Sequence, residues 1–231
     1  MIEGEQRQRA VRIEDIEVAR VIGQSRPVVT FLCSPNNPTG LEEPRATVEA
    51  ALRIAPGLVV VDEAYGQFAS RSALDLVTED VPLVVTRTFS KTWSMAGARL
   101  GYLIGPSWLV AELDKVVLPY HLDSAKQIAG RLAVRFVADM EQRVAQIKSE
   151  RQRISAALAA LPADVFPSGA NFVLFRPRRL GGREVWQALL DRSILVRDCS
   201  GWPRLADCLR VTVGTPEENG AFLDALEEIL R

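Results

Sequence analysis

A lysine at the end of an apolar run is the residue in this sequence best placed for covalent chemistry. The run at 83–85 leads into a polar turn that contains Ser90 and Lys91, and Arg99 precedes a second apolar run at 100–104. A lysine held near a cationic, desolvated site can lose its proton and act as a nucleophile. The spacing therefore predicts amine chemistry at Lys91, with a solvated surface lysine as the plainer alternative.

Hydroxyl and guanidinium groups near Lys91 predict that its partner carries a phosphate. Arg99 enters an apolar run, and burying a charge without a partner is costly. A guanidinium matches a phosphate through two parallel hydrogen bonds. Ser90, and less strongly Thr88, would add hydroxyl donors. We therefore predict a Schiff base between Lys91 and pyridoxal phosphate (PLP), with Ser90 and Arg99 holding the phosphate.

Three further polar side chains follow predicted strands and could hold the same cofactor. Asp62 and Tyr65 end the run GLVVVDEAY, and Asn37 lies in the turn SPNNPTG. An aspartate opposite the pyridine nitrogen keeps that nitrogen protonated, so that the ring accepts electrons. Tyr65 and Asn37 could reach the phenolic oxygen. Simpler interpretations stay open: a helix cap and a packing aromatic for the first pair, and an Asx turn for Asn37.

Two arginines near the carboxyl end are candidates for substrate binding. Arg210 stands at the head of the apolar run in LRVTVG, which predicts a salt bridge to a substrate carboxylate. Arg197, in ILVRD, is a second candidate, with an ion pair to the adjacent Asp198 as the alternative. The single histidine, His121, is interpreted as structural.

Composition narrows the class of protein. The chain has 231 residues, is 48% hydrophobic and 25% charged, and has a formal net charge of -1. This charge gives no reason to expect nucleic acid or an anionic membrane as a partner. No apolar run approaches the roughly 20 residues of a membrane helix, and the amino terminus lacks the apolar segment of a signal peptide. Three cysteines without a CxxC pair predict free thiols, a cytoplasmic location and no metal site.

The first half of the chain predicts an α/β fold with a mostly parallel sheet, because strand and helix patterns alternate. Predicted strands occupy 27–34, 57–65, 83–90 and 98–105, predicted helices occupy 13–24, 44–55 and 107–116, and residues 1–12 are predicted to be irregular or an edge strand. The last two strands are joined by a connection too short for a helical crossover, so they should be antiparallel. Polar residues gather after the carboxyl ends of the parallel strands, where open α/β sheets bind ligands.

The second half predicts a small α+β unit. A long helical region at 124–161 is followed, from Pro162, by short strands at 171–175, 194–197 and 208–213 and by helices at 182–192 and 216–230. We therefore predict three parts. Residues 1–120 form a cofactor-binding large domain, 121–161 an interdomain helical region, and 162–231 a small carboxyl-terminal domain.

Four motifs in order resemble those of the fold-type I PLP enzymes, the class I/II aminotransferases. They are SPNNPTG, VVDEAYGQF, TFSKTWSMAGARLGY and LRVTVGTPEEN. LPYHLDSAKQ, ANFVLF and ILVRD strengthen the likeness to histidinol-phosphate aminotransferases. The resemblance covers nearly the whole chain from Val28. It implies part of a PLP-transferase large domain, followed by a small α+β domain.

The resemblance also implies a role for each motif residue. Lys91 would be the Schiff-base lysine and proton shuttle, and Asp62 would pair with the pyridine nitrogen. Asn37 and Tyr65 would contact the phenolic oxygen of the cofactor. Ser90 and Arg99 would hold its phosphate, and Arg210 would bind the substrate carboxylate. The implied reaction transfers an amino group between an amino acid and a 2-oxo acid or its phosphorylated analogue, with histidinol phosphate and glutamate as the usual pair. Three alternatives stay open: another aminotransferase, a phosphothreonine-type decarboxylase, and a non-catalytic remnant or interaction module.

The sequence departs from the family in one respect: the family's amino-terminal part is not found here. In the family that part carries a Gly-rich turn that cradles the phosphate, an aromatic that stacks on the pyridine ring, and a tyrosine that reaches the neighbouring subunit. We therefore expect weak or absent PLP binding by this chain alone. We also expect the strand at 28–33 to form an exposed sheet edge that invites pairing, for example in a homodimer.

Overall fold

The computed structural model describes residues 15–231 and confirms the predicted α/β class. The stretch predicted as irregular or an edge strand, 1–12, lies outside the described residues, as does the start of the first predicted helix. The elements are α1 (Asp15–Ser25), β1 (Val29–Cys33), α2 (Arg45–Ile54), β2 (Leu58–Asp62), β3 (Leu83–Thr88), β4 (Gly101–Ile104), α3 (Ser107–Asp114), α4 (Ser124–Ala133), α5 (Val137–Ala159), β5 (Ala163–Val165), β6 (Phe172–Pro177), α6 (Gly182–Leu190), β7 (Arg197–Asp198), β8 (Leu209–Thr212) and α7 (Pro216–Leu230).

The described chain divides into two compact units. The first unit contains the described residues up to Pro35 together with Glu42–Val144, and the second contains Asn36–Leu41 together with Ala145–Arg231. The three predicted domains stay a prediction.

The first unit is built on a four-stranded sheet in the order β1-β2-β3-β4. Strands β1, β2 and β3 are parallel, and β4 is antiparallel to β3, as the short connection predicts. Strands β2 and β3 are continuous apolar runs because both of their faces are buried. Their side chains join those of α1 and α2 in one core, composed of Val18, Ile22, Leu32, Val48, Ala51, Val59, Val61, Ala73, Leu83 and Val85. The register sets Cys33, Asp62 and Thr86 side by side at the carboxyl ends of the strands.

Strand β1 forms the outer edge of this sheet, as the sequence predicts. Its two faces differ: Thr30 and Leu32 are buried, whereas Val29 is 39% exposed and Phe31 is 73% exposed. An edge with exposed apolar side chains and unpaired backbone groups is a template for pairing with another strand.

The second unit contains an antiparallel sheet in the order β5-β6-β8-β7. Its core packs α5, α6 and α7 against this sheet and includes Ile154, Leu158, Val173, Phe175, Val185, Leu189, Leu209, Phe222, Leu226 and Leu230. The prediction of a strand at 194–197 is wrong except at Arg197, which begins β7. Ile194 and Val196 pack against the core from a loop, and Leu195 is 78% exposed. Strand β5 was not predicted, because its three residues are too few to show the alternation of apolar and polar side chains that marks a strand.

The long helical region predicted at 124–161 is present but interrupted. A 3₁₀ turn at Val134–Phe136 separates α4 from α5. In α4, Gly130 packs closely on Leu100: a Cβ at position 130 would lie 2.6 Å from Leu100 Cδ2, so the leucine side chain would have to shift. Between residues 15 and 231, no helix is both long and apolar enough to cross a membrane.

Candidate active site

Asp62 ends β2 with one carboxylate oxygen in use and the other available. Its Oδ1 accepts a hydrogen bond from the Ala64 backbone N–H at 2.9 Å and lies 3.5 Å from Thr86 Oγ1. In the part of the chain that the structure describes, Oδ2 accepts no hydrogen bond. Asp62 therefore closes a turn with Ala64 and is not the helix cap of the plainer interpretation, since Tyr65 precedes the 3₁₀ turn at Gly66–Phe68; its Oδ2 still presents an acceptor to a ligand.

Lys91 lies over the ring of Tyr65. Its Nζ is 5.0 Å from the ring centroid, within the range of a cation–π contact. Tyr65 is buried and Lys91 is exposed. Among residues 15–231, Lys91 Nζ makes neither a hydrogen bond nor an ion pair. The amine therefore lies against an aromatic face and pairs with no carboxylate among the described residues, which leaves it accessible to a ligand.

The hydroxyl groups predicted to hold a phosphate lie together. Thr88 Oγ1 donates to Ser90 Oγ at 2.9 Å and accepts from the Ser90 backbone N–H at 3.0 Å. Thr88, the weaker candidate by sequence, is therefore part of the same turn as Ser90. These groups offer the polar contacts that a phosphate oxygen requires.

Arg99 differs from its predicted setting. It is exposed and precedes β4, which begins at Gly101, so it is not buried within the apolar strand. Its backbone is left-handed, with φ 52°, and its Nη1 donates to the Ala96 carbonyl at 3.2 Å. Left-handed backbone is uncommon for residues other than glycine. The case for Arg99 as a phosphate ligand therefore rests on its fixed, exposed guanidinium and not on a burial cost.

The second unit brings Asn37 and Arg210 together, although 173 positions separate them in the chain. Arg210 Nη1 donates to Asn37 Oδ1, and the guanidinium stacks over Phe172 at 4.8 Å from the ring centroid. The bond to Asn37 uses its carbonyl oxygen and leaves its amide nitrogen as a donor. That donor is the group the predicted contact with a phenolic oxygen needs.

The Asx turn considered for Asn37 is made by its neighbour. Asn36 Oδ1 accepts a hydrogen bond from Thr39 Oγ1 at 2.9 Å, and the Asn36 carbonyl accepts one from Gly40 N at 2.7 Å. Gly40 has φ 78°, and a Cβ there would lie 2.4 Å from Ser168 Oγ. This turn leaves Asn37 exposed, so its side chain is free to serve Arg210.

Arg197 and Arg210 are direct cross-strand partners in β7 and β8. Directly opposed residues point to the same face of a sheet, and like charges in such a pair repel. The ion pair considered between Arg197 and Asp198 is not formed: Asp198 lies 3.6 Å from Arg183 Nη1 and accepts from Ser200 N. The register therefore sets two arginines side by side on neighbouring strands, which makes both candidates for an anionic ligand.

Sequence reasoning missed a charged pair behind Asp62. Glu63 is only 2% exposed, and Arg87 Nη2 donates to its Oε2 at 2.7 Å. The available signal was an acid and a base closing two neighbouring apolar runs, at 63 and 87. Phe172, the ring beneath Arg210, was also missed, because an aromatic in an apolar strand is indistinguishable from a core residue.

The chain is similar to known aminotransferases in sequence and in fold. The profile of the aminotransferase class I and II family matches residues 10–226. A histidinol-phosphate aminotransferase from Streptomyces avermitilis is 46% identical over 223 residues, which are 93% of this chain and 58% of that protein. Among solved structures, a histidinol-phosphate aminotransferase from Sinorhizobium meliloti in complex with pyridoxal-5'-phosphate superposes with a TM-score of 0.84 at 27% identity, covering 95% of this chain and 62% of that one. A decarboxylase from Sulfurospirillum multivorans gives a TM-score of 0.84 at 25% identity, covering 96% and 67%.

The chain belongs to the aminotransferase class I and II family. It spans 58% of the length of the Streptomyces relative.

The residues of the first unit fit PLP. The cofactor needs an amine, an acidic partner for its ring nitrogen, and donors for its phosphate. Lys91 supplies an unpaired amine, Asp62 an unused carboxylate oxygen, and Ser90 and Thr88 a pair of adjoining hydroxyls.

Proposed function

We propose that this chain takes part in PLP-dependent transfer of an amino group, with histidinol phosphate and a 2-oxo acid such as 2-oxoglutarate as the substrates. The partners are then small amino and oxo acids. Family membership supports the reaction class, and the name of the Streptomyces relative supports the substrate. The arrangement of Arg197 and Arg210 is the single observation that carries the substrate proposal.

Two arginines paired across neighbouring strands suit a doubly charged ligand. Arg197 and Arg210 face each other across β7 and β8, and the buried Arg210 Nε has no hydrogen-bond partner among the described residues. A phosphate dianion neutralises both charges and offers several acceptor oxygens. The same pair also binds a carboxylate, so it can receive the anionic end of either substrate.

The chain's own residues supply the remaining steps. When bound, PLP supplies an aldehyde that reacts with amines and a ring that accepts electrons. Lys91 would provide the amine that holds the cofactor and, once the amine of the substrate has displaced it, would take the proton from the substrate carbon that bears the amino group. Asp62 keeps a proton on the ring nitrogen, while Ser90, Thr88 and Arg99 hold the phosphate.

The experiment measures glutamate formed from 2-oxoglutarate by the purified chain in the presence of PLP and histidinol phosphate. Because we expect this chain alone to bind PLP weakly, turnover should appear only at a high PLP concentration and should be lost in Lys91→Ala. Loss of one charge-assisted contact costs about 1.5–3 kcal/mol, so Arg197→Leu should raise KM for histidinol phosphate about 10- to 100-fold. Arg192→Leu removes an exposed arginine whose Nε lies 3.8 Å from Glu228, and is the matched control.

Two outcomes would contradict the proposal. Release of carbon dioxide from a phosphorylated amino acid, without glutamate formation, would favour a decarboxylase, a class represented among the superposable structures. A folded chain that turns over neither substrate at saturating PLP would favour a non-catalytic role.

A further inference from the structure

An ion pair joins the ends of β2 and β3 directly behind Asp62. Glu63 Oε2 accepts from Arg87 Nε at 3.1 Å and from Arg87 Nη2 at 2.7 Å. Ser72 Oγ donates to Glu63 at 2.9 Å, and the Ala73 backbone N–H donates at 2.6 Å. The Glu63 carboxylate is therefore nearly buried and fully hydrogen-bonded, and these bonds tie the end of β2 to Arg87 and to the segment at 72–73.

A second contact joins the segments that follow β2 and β3, one position beyond Lys91 in the chain. Thr92, which is buried, donates through Oγ1 to Gln67 Oε1 at 2.8 Å. Gln67 follows Tyr65 by two positions, and Thr92 directly follows Lys91. The contact between Tyr65 and Lys91 therefore lies between two cross-links, Glu63–Arg87 and Gln67–Thr92.

The turn between the cross-links leaves Tyr65 little freedom. The Glu63 carbonyl accepts from Gly66 N at 2.8 Å, and the Tyr65 carbonyl accepts from Phe68 N at 3.0 Å. A Cβ at Gly66 would lie 2.7 Å from Glu63 Cβ and 2.8 Å from its Oε2. Glu63 therefore packs closely against the turn that carries Tyr65.

We propose that Glu63–Arg87 and Gln67–Thr92 are positioning pairs that hold the Lys91 amine over the Tyr65 ring before any cofactor arrives. A reactive group gains rate when its geometry is set in advance by neighbours that are themselves locked. A buried ion pair adds little net stability, because desolvation offsets its attraction. The pair can therefore serve to position the reactive amine even though it adds little to stability. The consequence for catalysis rests on the proposed function, but the geometry does not.

The test observes Lys91 in the free chain by nuclear magnetic resonance. The sequence contains four lysines, Lys91, Lys115, Lys126 and Lys148, so protein labelled with ¹³C at the lysine ε-carbon gives four resolvable ε-CH₂ signals. Lys91→Arg identifies the Lys91 signal. A side chain above an aromatic face is shifted upfield by the ring current, and Tyr65→Leu defines the position of the signal without that shift.

We expect Glu63→Gln, Arg87→Lys and Thr92→Val each to move the Lys91 signal half or more of the way to its position in Tyr65→Leu. Thr92→Val is the mildest change, since it replaces one hydroxyl by a methyl group, and it carries the test if a charged variant fails to fold. Arg45→Met is the matched control: it removes an exposed arginine that bonds Glu49 and Asp75, and the Lys91 signal should stay in place.

Two results would overturn the proposal. A Lys91 signal that stays in place in folded Thr92→Val and Glu63→Gln would show that the pairs act on stability alone. A Lys91 signal that is the same in the unmodified chain and in Tyr65→Leu would show that there is no contact to position. Neither result depends on PLP, so failure of the proposed function, seen as absent turnover, is separately recognisable.

Discussion

Asp62 and Thr86 are register partners at the ends of two parallel strands, and the Thr86 hydroxyl lies 3.5 Å from Asp62 Oδ1. With the Ala64 N–H on the same oxygen, the carboxylate is oriented while its Oδ2 stays open. The orientation of Asp62, the proposed partner of the pyridine nitrogen, therefore depends on the register between β2 and β3.

Asp62→Asn should weaken PLP binding about 10- to 100-fold, because a hydrogen bond to a charged group is worth about 1.5–3 kcal/mol. Equilibrium dialysis of the chain against PLP measures the change. Asp75→Asn, an exposed carboxylate that bonds Arg45, is the control and should bind as the unmodified chain does. Equal affinities for Asp62→Asn and the unmodified chain would exclude the proposed role.

Asn219→Ala should lower the free energy of unfolding by about 2–3 kcal/mol, since buried polar groups would lose their partners. Asn219 is 2% exposed, accepts from Gly214 N at 2.9 Å, and donates to Gly214 O at 3.0 Å and to Glu150 Oε2 at 2.7 Å. Urea unfolding measures the loss. Gln187→Ala removes an exposed hydrogen bond to Asp191 and should change the free energy of unfolding by less than about 0.5 kcal/mol. Equal losses in Asn219→Ala and Gln187→Ala would contradict the account.

Asp198 should make stability depend on pH in acid. The Ser200 backbone N–H and the nearby Arg183 hold the pKa of Asp198 below its ordinary value. A lowered pKa adds stability that is fully present above the unfolded pKa of about 3.9 and is lost as the pH falls through the lower folded value. The unmodified chain should therefore exceed Asp198→Asn in stability at pH 6, with a smaller difference at pH 3. Urea titrations at both pH values test this, and a difference that grows in acid would contradict it.

Phe31→Lys should weaken self-association of the chain. Phe31 is exposed on the edge strand β1, where a lysine opposes strand pairing. Sedimentation velocity over a range of concentrations measures association. Val21→Lys, at an exposed apolar position on α1, should leave it unchanged. An equal effect of the two substitutions would show that the edge is not the pairing surface.

The parallel sheet, its antiparallel fourth strand and its exposed edge could all be predicted, because each depends on local pattern and connection length. Buried apolar runs mark β2 and β3, and the turn chemistry of SPNNPTG marks the end of β1. The segment at 194–197, wrongly predicted as a strand, also contains a run of apolar residues. There, however, Val196 accepts a hydrogen bond from Trp186 Nε1 at 3.0 Å and packs from a loop, so tertiary packing overrode β-propensity.

The candidate residues could be named from sequence, but their pairings could not. Nothing local shows that Asn36 makes the turn while Asn37 bonds Arg210, or that Arg197 faces Arg210, because both depend on contacts distant in sequence. The setting of Arg99 was predicted as a buried strand position, whereas the chain takes a left-handed turn there and exposes the side chain.

Covalent trapping of PLP at Lys91 tests the central claim most directly. The chain is incubated with saturating PLP, reduced with borohydride, digested, and analysed by mass spectrometry for pyridoxyl-lysine. We predict that the label is concentrated on Lys91, is absent from that peptide in Lys91→Ala, and is retained in Lys115→Ala, an exposed lysine that bonds Glu112. Label spread evenly over Lys91, Lys115, Lys126 and Lys148, or total incorporation unchanged in Lys91→Ala, would contradict the account.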